Sequence, residues 1–308
     1  MSANFYMMMG LPASGKSTIA NTLSNELIVH SSDALRKELY GNENNQENNN
    51  EIFLELHKRI KEDLRKGRNV VYDATNISKK RRKAFLQELK HIECTKFCIC
   101  MMKPYKDCLK DNAERDRVVP VDVIKNMYIN WCPPDYSEGF DYIEIVYPSS
   151  SNLYGYNLTE LFNNTNGIDN FNQENKHHKL TLGGHCRKAL SDVFIKYPDR
   201  TDLHIAALLH DCGKPFVKTK INARGIDDGD SHYYQHHCVS AYDSFFYTKN
   251  LGLDADSQIY IANLIYFHMH PYMNWAQTTS QQRRLKIQLG EEMFSDIMIL
   301  HKADVAAH

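Results

Sequence analysis

The chain of 308 residues has no long hydrophobic run, no excess of one charge and no paired C-x-x-C motif. Its 37 Lys and Arg against 38 Asp and Glu leave a net charge of −1. That balance excludes a uniformly basic coat, so any polyanion must be met by local patches. No apolar run approaches the ~20 residues needed to cross a bilayer. The N-terminus lacks a basic stretch followed by an apolar core. Neither a membrane span nor a signal peptide is therefore expected, and the expected location is cytoplasmic. The 8 cysteines show neither metal-type pairing nor the density of a disulfide scaffold, and read as reduced, mostly buried thiols. No internal repeat is visible. What is present is ordinary in bulk, 42% apolar and 24% charged, with enough chain for two cores. The asymmetry lies in 15 histidines, most of them after residue 175.

From residue 1 to 148 short apolar runs alternate with amphipathic stretches, which predicts an α/β unit with a parallel sheet. The expected strands are Phe5–Met9, Leu27–His30, Asn69–Tyr72, Phe97–Met101 and Tyr142–Val146. Directly after the first comes Gly10-Leu11-Pro12-Ala13-Ser14-Gly15-Lys16-Ser17, a complete phosphate loop. The next stretch carries Ile19, Leu23 and Leu27 at helical spacing. In that strand–loop–helix context backbone N–H groups cradle phosphates, so a nucleoside triphosphate, ATP or another, with Mg²⁺ is expected. Gly10, Ser14, Gly15, Lys16, Ser17 and Thr18 are the expected contacts, with Lys16 on the β and γ oxygens and Ser17 on Mg²⁺.

Ligands in open parallel sheets sit beyond the carboxyl ends of strands, so residues there are read first. Asp33, after the second strand, either caps a helix or accepts a proton from an attacking hydroxyl. Arg36, one turn later, is placed to clamp a phosphate of the acceptor. Asp73, just beyond the third strand, is placed as a carboxylate beside the metal. The basic run Lys79 to Lys83 either faces solvent or begins at the rim of the triphosphate site. Arg115 and Arg117 precede Val118-Val119-Pro120 and either form a lid or merely flank a helix. Gly41 to Asn50, rich in Asn and Glu, reads as a surface loop.

These motifs together resemble the 5′-kinase domain of phage-type polynucleotide kinases over about residues 3 to 148. The resemblance implies that Asp33 is the general base on a 5′-hydroxyl, Arg36 holds the flanking phosphate and Arg115 is the lid arginine. Where that family often has a further lid arginine upstream, this chain has Asp111.

Residues 149–176, rich in Ser, Asn and Gly, read as a linker. From 177 to 308 the pattern is helical, over Thr181–Tyr197, Leu203–Cys212, His236–Asn250, Asp256–His268 and Glu291–Ala307. His210-Asp211 ends an apolar helical run and offers nitrogen and oxygen donors to one divalent cation. His268 continues an apolar face, whereas His270 is turned away from it. Asp304 continues an inward stripe, where a carboxylate needs a partner. His185 opens another helix. The pattern leaves His236 and His237 undecided.

His185, His210-Asp211, His236, His268 and Asp304, in that order, resemble the HD phosphohydrolase superfamily. The run from His177 and His178 to His185 looks like the entry to HD domains of tRNA nucleotidyltransferases. The resemblance implies an all-α domain holding one or two ions of Mn, Fe, Co, Ni or Zn. His185, His210, Asp211 and Asp304 would form one position, His236 and His268 would complete a second, and Lys214 would contact phosphate. The two halves joined suggest an enzyme that heals strand ends, RNA ahead of DNA, for a downstream ligase. It would phosphorylate a 5′-hydroxyl and remove a 3′-phosphate or open a 2′,3′-cyclic one. The alternatives are a nucleoside or nucleotide kinase fused to a nucleotide phosphohydrolase, and a non-catalytic, ATP-switched RNA sensor.

Overall fold

The structure, a computed structural model, describes residues 2–23, 27–43, 48–175, 179–273 and 278–308. His177 and His178 lie outside the described residues. The chain forms two compact units, Met1–Met127 with Pro134–Ser151, and Tyr128–Pro133 with Asn152–His308.

The first unit is built on β1 (Ala3–Met9), whose Phe5, Met7, Met8 and Met9 are wholly buried. A strand so apolar on both faces has to lie inside a covered sheet. It pairs in parallel with β3 (Val70–Asp73) on one side and β4 (Cys94–Met101) on the other. The edges are β2 (Ile28–Ser31) and β5 (Tyr142–Val146), also parallel, giving the order β2-β3-β1-β4-β5. The helices are α1 (Lys16–Leu23), α2 (Ser32–Tyr40), α3 (Asn49–Arg65), α4 (Lys79–Glu88), α5 (Tyr105–Ala113) and α6 (Val121–Ile129). Helix α3 buries Ile52, Leu56, Ile60 and Leu64, one residue per turn on a single face. It starts inside the stretch expected to be loop, because apolar spacing resumes at Ile52. The register puts Ser31 beside Asp73 and Met9 beside Cys100. Three strand ends thus deliver the phosphate loop, Asp33 and Asp73 to one edge.

The second unit is mainly helical, with α7 (Leu158–Leu161), α8 (Leu182–Lys196), α9 (Thr201–Leu209), α10 (Lys214–Val217), α11 (His236–Asn250), α12 (Ala255–Phe267), α13 (Thr279–Leu289) and α14 (Glu291–Ala306). Its core joins Leu182, Ala189, Leu209, Leu264, Ile297 and Leu300. Two expectations are corrected. The unit is not all-α, since β6 (Thr219–Ile221) and β7 (Asp227–His232) form an antiparallel ribbon. Its strands lack apolar alternation, and its turn is closed by the Asn222 side chain, which accepts from the N–H of Arg224 and of Ile226. The stretch read as linker also packs from residue 152 onward, with Leu161 and Ile168 in the core and Gln173 buried. Asn157 caps α7 by accepting from Glu160 N, so a polar sequence builds an ordered turn.

Candidate functional site

The loop between β1 and α1 closes round a backbone that tolerates no side chain at its start. Gly10 has φ +148°, and a Cβ there would lie 2.7 Å from Ser14 Oγ and 2.8 Å from Met101 O. Its N–H donates to Thr75 O at 3.0 Å, tying the loop to the end of β3. Lys16 Nζ donates to Leu11 O at 2.6 Å. Burial lowers the Lys16 pKa against the pull of Asp73. Ser17 Oγ donates to Asp73 Oδ2 at 2.8 Å. This hydroxyl–carboxylate pair at the loop's edge is the donor chemistry that Mg²⁺ requires. The cavity here has a volume of about 1120 Å³ and is lined by Gly15, Lys16, Ser17 and Thr18 among others.

The same cavity takes in the residues after β2 and the loop after α5. Asp33 stands inside the first turn of α2, and the capping position is Ser31. Its Oδ1 accepts from Arg36 NH1 at 2.7 Å and its Oδ2 lies 2.5 Å from Arg117 NH1. Arg36 is buried, donates to Asn49 Oδ1 at 2.8 Å and stands 6.0 Å from the Phe53 ring centre. Arg115 and Arg117 both line the cavity. Their loop is pinned at its ends, since Asn112 donates to Val119 O and accepts from Val119 N. Asp111 also lines the cavity, where it pairs with the buried Lys103. Lys103 also donates to Ser150 Oγ at 2.9 Å and lines the cavity. Sequence reasoning passed over Lys103, although a lysine two residues beyond a strand end was a readable signal.

The basic run is placed otherwise than at the rim. None of Lys79 to Lys83 lines the cavity. Arg82 is buried in an ion pair with Glu138, and Lys79 lies 3.5 Å from Asp135. Helix α4 turns Lys79 and Arg82 toward the 135–138 turn, while Lys80 and Arg81 face solvent.

In the second unit six predicted residues, drawn from five stretches of chain, converge. His185, His210, Asp211 and Asp304 present donor atoms within 4.8 Å of one another, as do Asp211, His236 and His268. Asp211 joins the two sets. Its Oδ2 lies 3.3 Å from both His185 Nε2 and His210 Nε2, and its Oδ1 lies 3.0 Å from His236 Nε2 and 3.6 Å from His268 Nε2. Asp304 Oδ1 lies 3.0 Å from His185 Nε2. The outer nitrogens face backbone carbonyls: Nδ1 of His210 meets Ala207 O at 2.8 Å, that of His236 meets Tyr233 O at 2.7 Å, and that of His268 meets Ile265 O at 2.6 Å. An Nδ1–H donated outward leaves the Nε2 lone pair aimed at the centre. The Nε2 atoms of His185 and His210 are 3.1 Å apart, and those of His236 and His268 are 3.2 Å apart. Such facing nitrogens suit a shared cation, and a buried N/O set of this kind fits a divalent transition metal.

The two carboxylates favour a positive charge at this centre, proton or cation. Burial alone would push His210 down, but Asp211 and Asp304 outweigh it and raise its pKa to about 10. Lys214 Nζ lies 2.7 Å from Asp211 Oδ2 and donates to Gln173 Oε1 at 2.8 Å. His237 lies outside the set. Burial and neighbouring His236 push it down to about 2, and its ring meets Tyr266 and His270. His270 packs against Phe267, and His301 packs edge-on against Tyr272. Sequence reasoning missed Tyr272, whose hydroxyl donates to Asp304 Oδ2 at 2.9 Å, and His308, 3.5 Å from Asp304 Oδ1. An aromatic in a single 3₁₀ turn gives no periodic signal.

The parallel sheet and the loop after β1 give the first unit an α/β P-loop kinase-type fold. The profile of the AAA domain family matches residues 5–130. L-seryl-tRNA(Sec) kinase of Methanococcus maripaludis is 28% identical over 160 residues, 48% of this chain and 60% of that protein. The chain thus spans about 60% of the length of that curated relative. Among solved structures, one of the Pnkp1/Rnl/Hen1 RNA repair complex aligns with 42% of this chain and 43% of its own, at 20% identity and TM-score 0.36. A gluconokinase from Sinorhizobium meliloti aligns with 48% and 84%, at 15% identity and TM-score 0.34. None of the described helices is long and apolar enough to cross a membrane.

Proposed function

We propose that the chain heals nucleic-acid ends, RNA ahead of DNA. The first unit would be a 5′-hydroxyl polynucleotide kinase and the second an HD-type 3′-phosphatase or 2′,3′-cyclic phosphodiesterase, supplying a ligase. The observation that carries the kinase reading is the single cavity shared by Lys16, Asp33 and Arg36. Its volume of about 1120 Å³ exceeds the roughly 300–1,000 Å³ of most small-ligand sites, leaving room for an acceptor beside a triphosphate. Arg36, buried and three residues beyond the base, is a guanidinium placed for a phosphate next to the hydroxyl, which a nucleoside lacks.

In this reading Asp33 takes the proton of the 5′-hydroxyl as its oxygen bonds to the γ-phosphorus and the bond to the β-phosphate oxygen breaks. Lys16 holds the β and γ oxygens. Arg117 exchanges Asp33 for the triphosphate, and with Arg115 it balances charge on the transferring group. In the second unit His185, His210, Asp211 and Asp304 would hold one cation, and Asp211, His236 and His268 a second. A cation there supplies Lewis acidity and an activated water. Lys214 holds a phosphate oxygen, and the four imidazoles keep their Nδ1 protons on backbone carbonyls.

Asp33→Ala should abolish 5′ labelling of an oligonucleotide, by at least about a hundredfold, and leave phosphatase turnover intact. Asp211→Ala should do the reverse and empty the protein of transition metal by elemental analysis. Loss of both activities in either folded variant would rule out two independent sites. A second reading is favoured by the likeness to a kinase whose name specifies a seryl-tRNA: the acceptor hydroxyl would be carried on a tRNA-borne serine. Offering 5′-hydroxyl RNA, a nucleoside and a seryl-tRNA in parallel separates it, and labelling of the seryl-tRNA alone would replace the first reading.

A further inference from the structure

The cavity that opens on Asp211, His236 and Asp304, about 480 Å³ in volume, has a wall unlike its floor. The floor carries metal-type donors and Lys214. The wall carries Tyr233, Tyr234 and Tyr272 with Met269 and Met273. Tyr233 is anchored, its hydroxyl donating to Gln173 O and its ring 5.5 Å from Lys214 Nζ. Tyr234 is different. The residue is 45% exposed and its ring lies parallel to His232, with an interplanar angle of 6° and centroids 5.6 Å apart. His232 is itself fixed, its Nε2 2.9 Å from Asp228 Oδ1. Among the described residues Tyr234 has no hydrogen bond and no second ring against it. Gln235, next in the chain, sits at φ +63°, a left-handed conformation uncommon for a side chain of its size. That turn sends Tyr234 to the cavity wall and His236 to Asp211, and strain of this sort gathers where function holds it in place.

A phosphoryl group needs only cations and donors, and the floor provides them. The buttressed tyrosine face provides something a bare phosphate does not use, a flat π surface. The chemical class that carries both features within one residue's length is a nucleoside phosphate. We infer that Tyr234, backed by His232, is the stacking platform for the terminal base of the strand whose phosphate is hydrolysed at the metal set. This rests on the hydrolytic reading above. Stacking on an aromatic face is sequence-tolerant because every base has such a face, so the platform would admit any terminal base.

The test uses the full chain with Mn²⁺ and two RNA oligonucleotides bearing a 3′-phosphate, one ending in 2-aminopurine and one in a base-less ribose. For Tyr234→Ala the KM on the 2-aminopurine end should rise about tenfold, with kcat within twofold. Tyr234→Phe should restore it, and the base-less end should be unaffected. In EDTA, where turnover stops, wild-type protein should quench 2-aminopurine fluorescence and Tyr234→Ala should not. Equal effects on both ends, or quenching and KM unchanged by Tyr234→Ala, would overturn the platform. Tyr234-dependent quenching without hydrolysis would keep it and overturn the hydrolytic reading instead.

Discussion

Arg82 belongs to the run Lys79-Lys80-Arg81-Arg82-Lys83, yet it is the most enclosed guanidinium of the first unit. Its Nε and NH2 donate to the two carboxylate oxygens of Glu138 at 2.8 Å each, and its NH1 donates to Asn76 O at 3.0 Å. Asn76 in turn sits at φ +45° and donates to Met8 O at 2.8 Å. The pair thus holds the turn beyond β3, where Asp73 and Thr75 meet the phosphate loop. Removing one member of a buried pair leaves a charge without compensation and costs about 3–5 kcal/mol. Arg82→Met should therefore destabilise the first unit by that order in urea unfolding. Arg82→Met with Glu138→Leu should recover most of the loss. Equal stability of the single and double variants would show that the pair does not matter as a pair. Burial is what a charge run hides, since residue type alone does not say which turn of the helix faces a second carboxylate 56 residues away. The same limit separated His236 from His237 only in three dimensions, because both open α11 and the apolar stripe begins after them.

At the scale of elements the first unit was legible. All five strands fall within a few residues of the apolar runs, since a covered parallel sheet requires unbroken hydrophobicity that turns cannot imitate. In the second unit His236–Asn250 agrees with α11 to the residue, and α8, α9, α12 and α14 lie within three residues of the expected bounds, whereas α10 and α13 were not expected. The β6–β7 ribbon was not legible, because Asp227-Asp228-Gly229-Asp230 carries no alternation and its turn is made by one asparagine. Element packing also explains Gly213, which links α9 to α10. A Cβ there would lie 2.7 Å from both His236 O and Ser240 N, and 2.8 Å from Val239 Cβ. Two of those contacts are backbone and cannot rotate away. Gly213→Ala should push α11 from the His210-Asp211 turn, lower stability by about 1–3 kcal/mol and weaken metal retention. Melting temperature and metal content of the purified protein are the measurements, and an unchanged metal content would separate packing from ligation.

For the molecule as a whole, the six converging donors were legible as a set because residue order and helical spacing survive in the sequence. Their supports, Tyr272 and His308, were not, since single residues outside the long helices have no period. With the donors assigned to a cation, its removal should act on one unit only. A ligand at about a thousandfold its dissociation constant stabilises its fold by about 4 kcal/mol. Calorimetry with EDTA should therefore move the transition of the second unit downward and leave that of the first in place, while ATP with Mg²⁺ should raise only the first. Transitions that shift together, or not at all, would contradict the assignment.

The chain visits the second unit early, at Tyr128–Pro133, before returning to finish the first sheet with β5. Within that short visit Trp131 is wholly buried, edge-on to Tyr242 and Phe245 with centroids 5.0 and 5.7 Å away, and Tyr128 donates to Asp243 Oδ1 at 2.7 Å. No single scission of the polypeptide can therefore release two intact halves. A fragment ending near residue 151 carries off an indole that belongs in the other half's interior, and leaves a hole the size of a tryptophan behind. Recombination that shuffles whole domains by exchanging one contiguous stretch would meet the same obstacle, so the two halves of this chain are bound to be inherited as one.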